Sequence, residues 1–270
     1  MVAMAELMSE YVEQQRAFYA LHPDIMGTRF EIIMYDADRA SAEALWERIV
    51  ERLEAWHAMF NRFDRESELS RLNDCNDTQW HEVSDELADV LTLCREYWLK
   101  TEHLFDITRR DMSLVELKEG QVRKLSADIT LDLGGFAKGY ALLRVREMLT
   151  AEGISRAIAD FGHSTIMTIG RNGDEDWVIG LPSPYDGCEV ARFTLNDQTL
   201  STSGNTPSYA GHIVNPQSGE RNNDRVLSCV VAASPLDAEV LSTVQMIASE
   251  EQMASVVANF DIVTAKRYEL

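Results

Sequence analysis

The chain has 270 residues, of which 45% are hydrophobic and 26% charged, and its formal net charge is −20. That length can bury one large core or two small ones. The charge argues against nucleic acid and anionic membranes as partners, since both call for basic patches. An anionic ligand must therefore be held by local features, with help from site-bound cations, because the global field repels it. The four cysteines, Cys75, Cys94, Cys188 and Cys229, are scattered, with no CxxC pair. They read as free thiols in a reducing compartment. No run reaches the ~20 apolar residues of a bilayer span. Residues 1–21 lack the basic start and apolar core of a secretion signal, so the expected location is cytoplasmic.

In chain order, Met4 to Ala20 reads as a helix, with Glu6, Glu10, Glu13 and Arg16 at helical spacings, ended by His22-Pro23. Residues 1–25 are thus expected to form a helical extension before a single domain over 26–270. Thr28 to Tyr35 is a predicted strand. Ala40 to Ala58 is a helix that gathers Ala44, Leu45, Ile49, Leu53 and Trp56 on one face. A short helix follows at Ser67 to Leu72, and Ser84 caps another running to about Glu102. Leu114 to Leu117 and Gln121 to Leu125 are strands joined by Glu119-Gly120, and Ile129 to Leu133 is a third.

A helix over Phe136 to Glu152 is followed by strands at Arg156 to Phe161, Thr165 to Ile169, Trp177 to Leu181, Val190 to Leu195 and Leu227 to Ala232. Helices at Asp237 to Ala248 and Glu250 to Asn259 and a strand at Ile262 to Lys266 complete the chain. Grouped helices and grouped strands indicate an α+β fold, strands flanked by helices, rather than a regular βαβ array.

The segment Leu131-Asp132-Leu133-Gly134-Gly135-Phe136-Ala137-Lys138-Gly139-Tyr140 carries the most chemistry. Paired glycines let backbone N–H groups approach an anion, and the helix start adds partial positive charge. Lys138 in the first turn can reach a phosphate oxygen, and Asp132 can hydrogen-bond a ligand or hold a metal-bound water. The same ten residues also fit an ordinary strand–turn–helix corner. Glu239 and Thr243, four apart, share one helix face and form a hard oxygen pair suited to Mg²⁺. They equally fit a first-turn acid on the helix dipole and a packed β-branched residue. His212 suits a general base, as a neutral imidazole at physiological pH, and equally a hydrogen-bonded structural histidine.

Six further segments accompany the diglycine–lysine run: Met26-Gly27-Thr28, Ser67-Glu68-Leu69-Ser70-Arg71-Leu72-Asn73, Phe105-Asp106-Ile107-Thr108, Ser201-Thr202-Ser203-Gly204, His212-Ile213-Val214-Asn215-Pro216-Gln217-Ser218-Gly219 and Ala238-Glu239-Val240-Leu241-Ser242-Thr243. In this order they resemble the ApbE family, FAD-dependent, magnesium-requiring FMN transferases. The resemblance implies FAD as substrate and Mg²⁺ held by Glu239, Thr243 and the Gly135 carbonyl. It places Met26, Phe63, Phe105, Asp106, Asp132, Lys138 and Ile213 at the flavin nucleotide, with Lys138 on the pyrophosphate. It implies transfer of FMN to a threonine of an acceptor flavoprotein, with release of AMP and His212 as base.

Water in place of threonine would make the same site an FAD pyrophosphatase, and a flavin-binding protein without turnover is a third reading. The chain departs from the family pattern in several places. Glu239 replaces an aspartate, Phe63 a tyrosine and Asn215 an aspartate. The segment between Asp111 and Ala127 is short, and the loop from Gly204 to His212 lacks an arginine often found there. Relatives are typically exported lipoproteins.

Overall fold

The computed structural model describes residues 7–270. The chain begins with strands where a helix was expected: β1 (Met8–Val12) and β2 (Ala17–Ile25) form an antiparallel hairpin. This corrects the helical reading of residues 4–20, of which 4–6 lie outside the described residues. Tyr11, Val12, Phe18 and Tyr19 are strand formers, and Ala17, Phe18 and Ala20 are buried. The charges at helical spacing decided nothing, because Glu10, Glu13 and Arg16 stay exposed. A single 3₁₀ turn, with Arg16 in the left-handed region at φ 47°, reverses the chain.

β2 pairs with β3 (Thr28–Tyr35), whose bounds coincide with the predicted strand. Asp38 caps α1 (Arg39–Phe60) by accepting from the Ser41 N–H, and the buried face carries Leu45, Ile49, Leu53 and Trp56 as expected, whereas Ala44 is exposed and Ala42 is buried in its place. Ser67 and Ser84 cap α2 (Glu68–Asp74) and α3 (Asp85–Lys100) in the same manner. A small sheet in the order β4-β6-β5 joins β4 (His81–Glu82), β5 (Val115–Lys118) and β6 (Gln121–Lys124).

The strand expected at Ile129 to Leu133 is not one. Ile129, Leu131 and Leu133 are buried in alternation, which is the pattern that suggested a strand. Their neighbour, however, is a side chain: Asn73 donates to the Leu131 carbonyl (2.9 Å) and accepts from its N–H (2.7 Å). The Asp132 N–H donates to Ile107 O at 2.7 Å.

Past the diglycine come α4 (Ala137–Ala151), β7 (Ala157–Phe161), β8 (Thr165–Ile169), β9 (Trp177–Pro182), β10 (Glu189–Leu195), β11 (Thr199–Gly204) and β12 (Val226–Ala232). The chain closes with α5 (Pro235–Gln245), α6 (Glu250–Val257) and β13 (Ile262–Glu269). β9 and β10 pair apart from the rest, and the eight-stranded sheet runs β1-β2-β3-β7-β8-β11-β12-β13 with every pairing antiparallel. One face of this sheet is covered by helices: α1 packs on β2 and α4, while α5 packs on β8, β11, β12 and α4. This mixed α+β layout sets the start of α4 against the side of α5.

Candidate functional site

The contact between α4 and α5 is unusually close. A side-chain carbon on Gly139 would stand 2.6 Å from the Glu239 Cβ and 3.1 Å from the Leu236 Cα. Only glycine permits that approach. It brings Glu239, 4% exposed, under the first turn of α4, where Lys138 donates to its Oε1. The other carboxylate oxygen accepts from Thr165 on β8 and from Ser201 on β11 (3.1 Å). Ser201 Oγ lies 3.1 Å from Ser242 Oγ, which lies 2.8 Å from Ser203 Oγ. A buried carboxylate with both oxygens satisfied and a cation beside it meets the conditions for burying charge.

Thr243, one turn along α5, closes the other side. Its Oγ1 would stand 3.5 Å from a side-chain carbon on Gly135, and it lies 3.4 Å from Ser203 Oγ. The Phe136 and Ala137 N–H groups both donate to Leu133 O, and Tyr140 N–H donates to Phe136 O. This pattern passes over the Gly135 carbonyl, to which no backbone N–H donates among the described residues. The three expected metal ligands, Gly135, Glu239 and Thr243, thus adjoin one another. Among the described residues no group of three or more His, Cys, Asp or Glu could hold a metal. This donor set is of another kind: one carboxylate, one hydroxyl and one carbonyl, all hard oxygens that suit Mg²⁺. It fits a divalent cation on one condition, that Lys138 gives up its Glu239 oxygen.

A second line of residues runs from Asp132 to His212. Asp132 Oδ2 lies 3.4 Å from the Arg62 Nε and 3.6 Å from an Arg109 nitrogen, while Oδ1 accepts from the Gly134 N–H at 2.9 Å. Arg109, held in the left-handed region at φ 57°, also donates to the His212 carbonyl at 3.0 Å. The His212 ring stacks on Tyr209 with centroids 4.2 Å apart, and its Nδ1 is buried without a hydrogen-bond partner. Burial first, then the charges of Arg109 and Lys138, hold the imidazole below its ordinary pKa. It is therefore neutral at physiological pH, with a nitrogen available for a proton.

The remaining expected residues divide. Phe63 is 81% exposed with its ring under the Arg62 guanidinium, 4.4 Å from it, so it stands at the rim near Asp132. Phe105 is buried beneath Gly135, 3.9 Å from where a side-chain carbon would be, and stacks on Phe136. Asp106 is turned to its own loop, accepting from the Thr108 N–H (2.7 Å), the Thr108 hydroxyl (2.6 Å) and the Met112 N–H (2.8 Å). Met26 lies in a left-handed turn at φ 51°, and its N–H donates to His57 Nδ1 at 3.0 Å. Ile213 is buried in a small cluster with Val226 and Met246. A cavity of about 740 Å³ between α1, α3 and α4, walled by Arg52, Trp56, Glu86 and Arg144, contains none of these residues.

Residues 26–113 and 109–265 match the ApbE family. The chain belongs to this family. The two matched stretches meet at 109–113, beside the segment read as shortened. A protein named FAD:protein FMN transferase from Klebsiella pneumoniae (strain 342) is 25% identical over 277 residues, spanning 86% of this chain and 79% of its own length. The structure of the flavin transferase ApbE from Vibrio cholerae has a TM-score of 0.78 at 21% identity, covering 97% of this chain and 98% of its own. The apo form of the Pseudomonas stutzeri flavinyl transferase ApbE also gives 0.78, at 20% identity, covering 98% and 95%. At such identities the structural likeness speaks for the fold.

Sequence reasoning missed Arg62, Arg109, Thr165 and Tyr209. Arg109 follows Phe105-Asp106-Ile107-Thr108 directly, and a second basic residue, Arg110, follows it, which is the one hint the sequence holds. Thr165 gave no signal, because isolated hydroxyl residues in strands are common, and Ser201 was marked only as part of the Ser201–Gly204 motif, with no role assigned.

Proposed function

We propose that this chain is an FAD:protein FMN transferase, moving FMN from FAD to a threonine hydroxyl of an acceptor flavoprotein with release of AMP. The reading rests on the names of its relatives and on one observation in this chain. Lys138, Arg109 and Arg62 converge where an unpartnered, neutral His212 and the Gly135–Thr243 edge meet. In a protein of net charge −20, such a local concentration of cations is what a dinucleotide diphosphate requires.

The residues divide the work. Arg62 and Arg109 face the loosely held Asp132 carboxylate at ion-pair rather than hydrogen-bond distances, so an incoming phosphate can share them. Phe63 and Tyr209, 81% and 62% exposed, offer ring faces at the rim for a flavin or adenine. The neutral imidazole of His212 takes the threonine proton as that oxygen attacks the FMN phosphorus. The P–O–P bridge then breaks and AMP departs. Gly135, Glu239 and Thr243 would hold Mg²⁺, whose charge offsets that developing on the phosphates. A cytoplasmic location belongs to this reading and rests on the four free thiols.

The test is mass spectrometry of a threonine-containing acceptor incubated with the enzyme, FAD and Mg²⁺. A gain equal to one FMN moiety, with AMP in equal amount, is expected. Free FMN and AMP with an unmodified acceptor would make the chain a pyrophosphatase, and intact FAD would make it a binding protein.

A further inference from the structure

The carboxylate at the centre of the site already has a cation of its own. Lys138 donates to Glu239 Oε1, and the two side chains are 21% and 5% exposed. The second oxygen is engaged by Thr165 and Ser201, both fully buried on central strands of the large sheet. Those hydroxyls belong to the frame and are not positioned to leave. Lys138 differs: it lies in the first turn of α4 on a flexible four-carbon stem, with a fifth of its side chain in solvent. Glutamate contributes as well. Its Cβ is fixed by contact with Gly139, one residue beyond Lys138, so the longer side chain reaches the ammonium from a backbone position that cannot retreat.

We propose that Lys138 and a divalent cation compete for Glu239, and that loading the cation releases the Lys138 ammonium to the diphosphate of the nucleotide. The inference rests on the functional reading above for what the freed lysine binds, but the competition itself concerns only this chain and a metal ion. Two positive charges cannot share one buried carboxylate oxygen without strong repulsion, since the low local dielectric magnifies both attraction and repulsion. Gly135 and Thr243 adjoin on the other side, and a carbonyl and a hydroxyl oxygen suit a hard cation while offering a lysine no charge. The cation exchanges for Lys138 at Glu239, and the ammonium turns outward at the N-terminus of α4, where anions are favoured. Metal and FAD are then positively coupled, each raising the other's affinity by the same factor.

The experiment is calorimetry and thermal unfolding with MgCl₂ or MnCl₂ alone, on the full chain, without FAD or acceptor. Lys138→Met should bind the cation at least tenfold more tightly than wild type. Its melting temperature, lowered by the unpaired buried Glu239, should be recovered by Mn²⁺ more than wild type gains. Glu239→Gln should bind neither ion. In a separate FAD titration, Mg²⁺ should tighten binding to wild type, and in Lys138→Met that coupling should shrink, leaving only the metal's direct attraction for the phosphates. Unchanged or weaker cation affinity in Lys138→Met overturns the proposal, as does the absence of binding to both proteins at millimolar metal. Should Lys138→Met fail to fold, Lys138→Gln, which keeps a neutral donor, is expected to lie between the two in cation affinity, and a wild-type value for it sinks the idea. None of these readings depends on transfer, so an inactive enzyme that binds metal in this manner would count against the functional assignment alone.

Discussion

Gly139 and Glu239 are packed so closely that a methyl group on the first would overlap the side chain of the second, at 2.6 Å. The fold places the buried Glu239 carboxylate by helix-to-helix contact rather than by a loop. Gly139→Ala must push α4 from α5, because the next obstacle, at 3.1 Å, is the Leu236 backbone. Overpacking of this kind costs about 1–3 kcal/mol. We expect a loss of that size in urea unfolding, accompanied by weaker Mg²⁺ binding. Wild-type stability in this variant would show that the helices are not in contact.

Asn73 should matter as much as any residue that touches substrate. Its amide forms both hydrogen bonds of the buried Leu131 backbone, and Asp132 follows directly. Asn73→Ala leaves one N–H and one C=O without partners, at about 1–3 kcal/mol each. The Michaelis constant for FAD should rise while the melting temperature falls. A stable variant with normal FAD affinity would mean that the loop does not depend on this clamp.

His212 sets a pH dependence whose sign can be worked out. Its pKa is lowered in the folded protein, by burial first and by Arg109 and Lys138 next, whereas in the unfolded chain it returns to ~6.5. Between those values the unfolded state binds more protons. Stability from this residue is therefore present above pH ~6.5 and is lost as the pH falls below it, down to the folded pKa. His212→Gln should flatten that acid slope in unfolding titrations. As general base, its loss should also lower the transfer rate about 10²–10⁴-fold. An unchanged rate with an altered slope would make it structural only.

Much of this was readable beforehand, and the exceptions share a cause. α1 could be located because Leu45, Ile49, Leu53 and Trp56 repeat at the helical period, and β3 because its turns flank it cleanly. β11 was not predicted as a strand, although its Ser201–Gly204 motif was singled out, since Ser201, Thr202 and Ser203 lack an apolar alternation. Ser201 is fully buried there because its hydroxyl has Glu239 and Ser242 to bond, partners that only tertiary structure supplies. Residues 8–20 misled because acidic residues at helical spacing suit an exposed strand edge equally well. Gly135, Lys138, Glu239 and Thr243 were named together through the family resemblance of their two motifs, whereas Arg62 and Arg109 adjoin them through a contact with Asp132 that no spacing encodes.

Arg109 permits a test that separates backbone from charge. At φ 57° it occupies a conformation that costs a residue with a side chain ~1–2 kcal/mol relative to glycine. Its guanidinium meanwhile ties Asp132 to the His212 carbonyl. Arg109→Ala loses the charge and keeps the strain, while Arg109→Gly loses the charge and relieves it. Both should weaken FAD binding by about tenfold, the scale of one charge-assisted contact. Arg109→Gly should nonetheless be the more stable of the two by roughly 1 kcal/mol. Equal stability would place the strain elsewhere, and undiminished FAD affinity in both would remove Arg109 from the nucleotide.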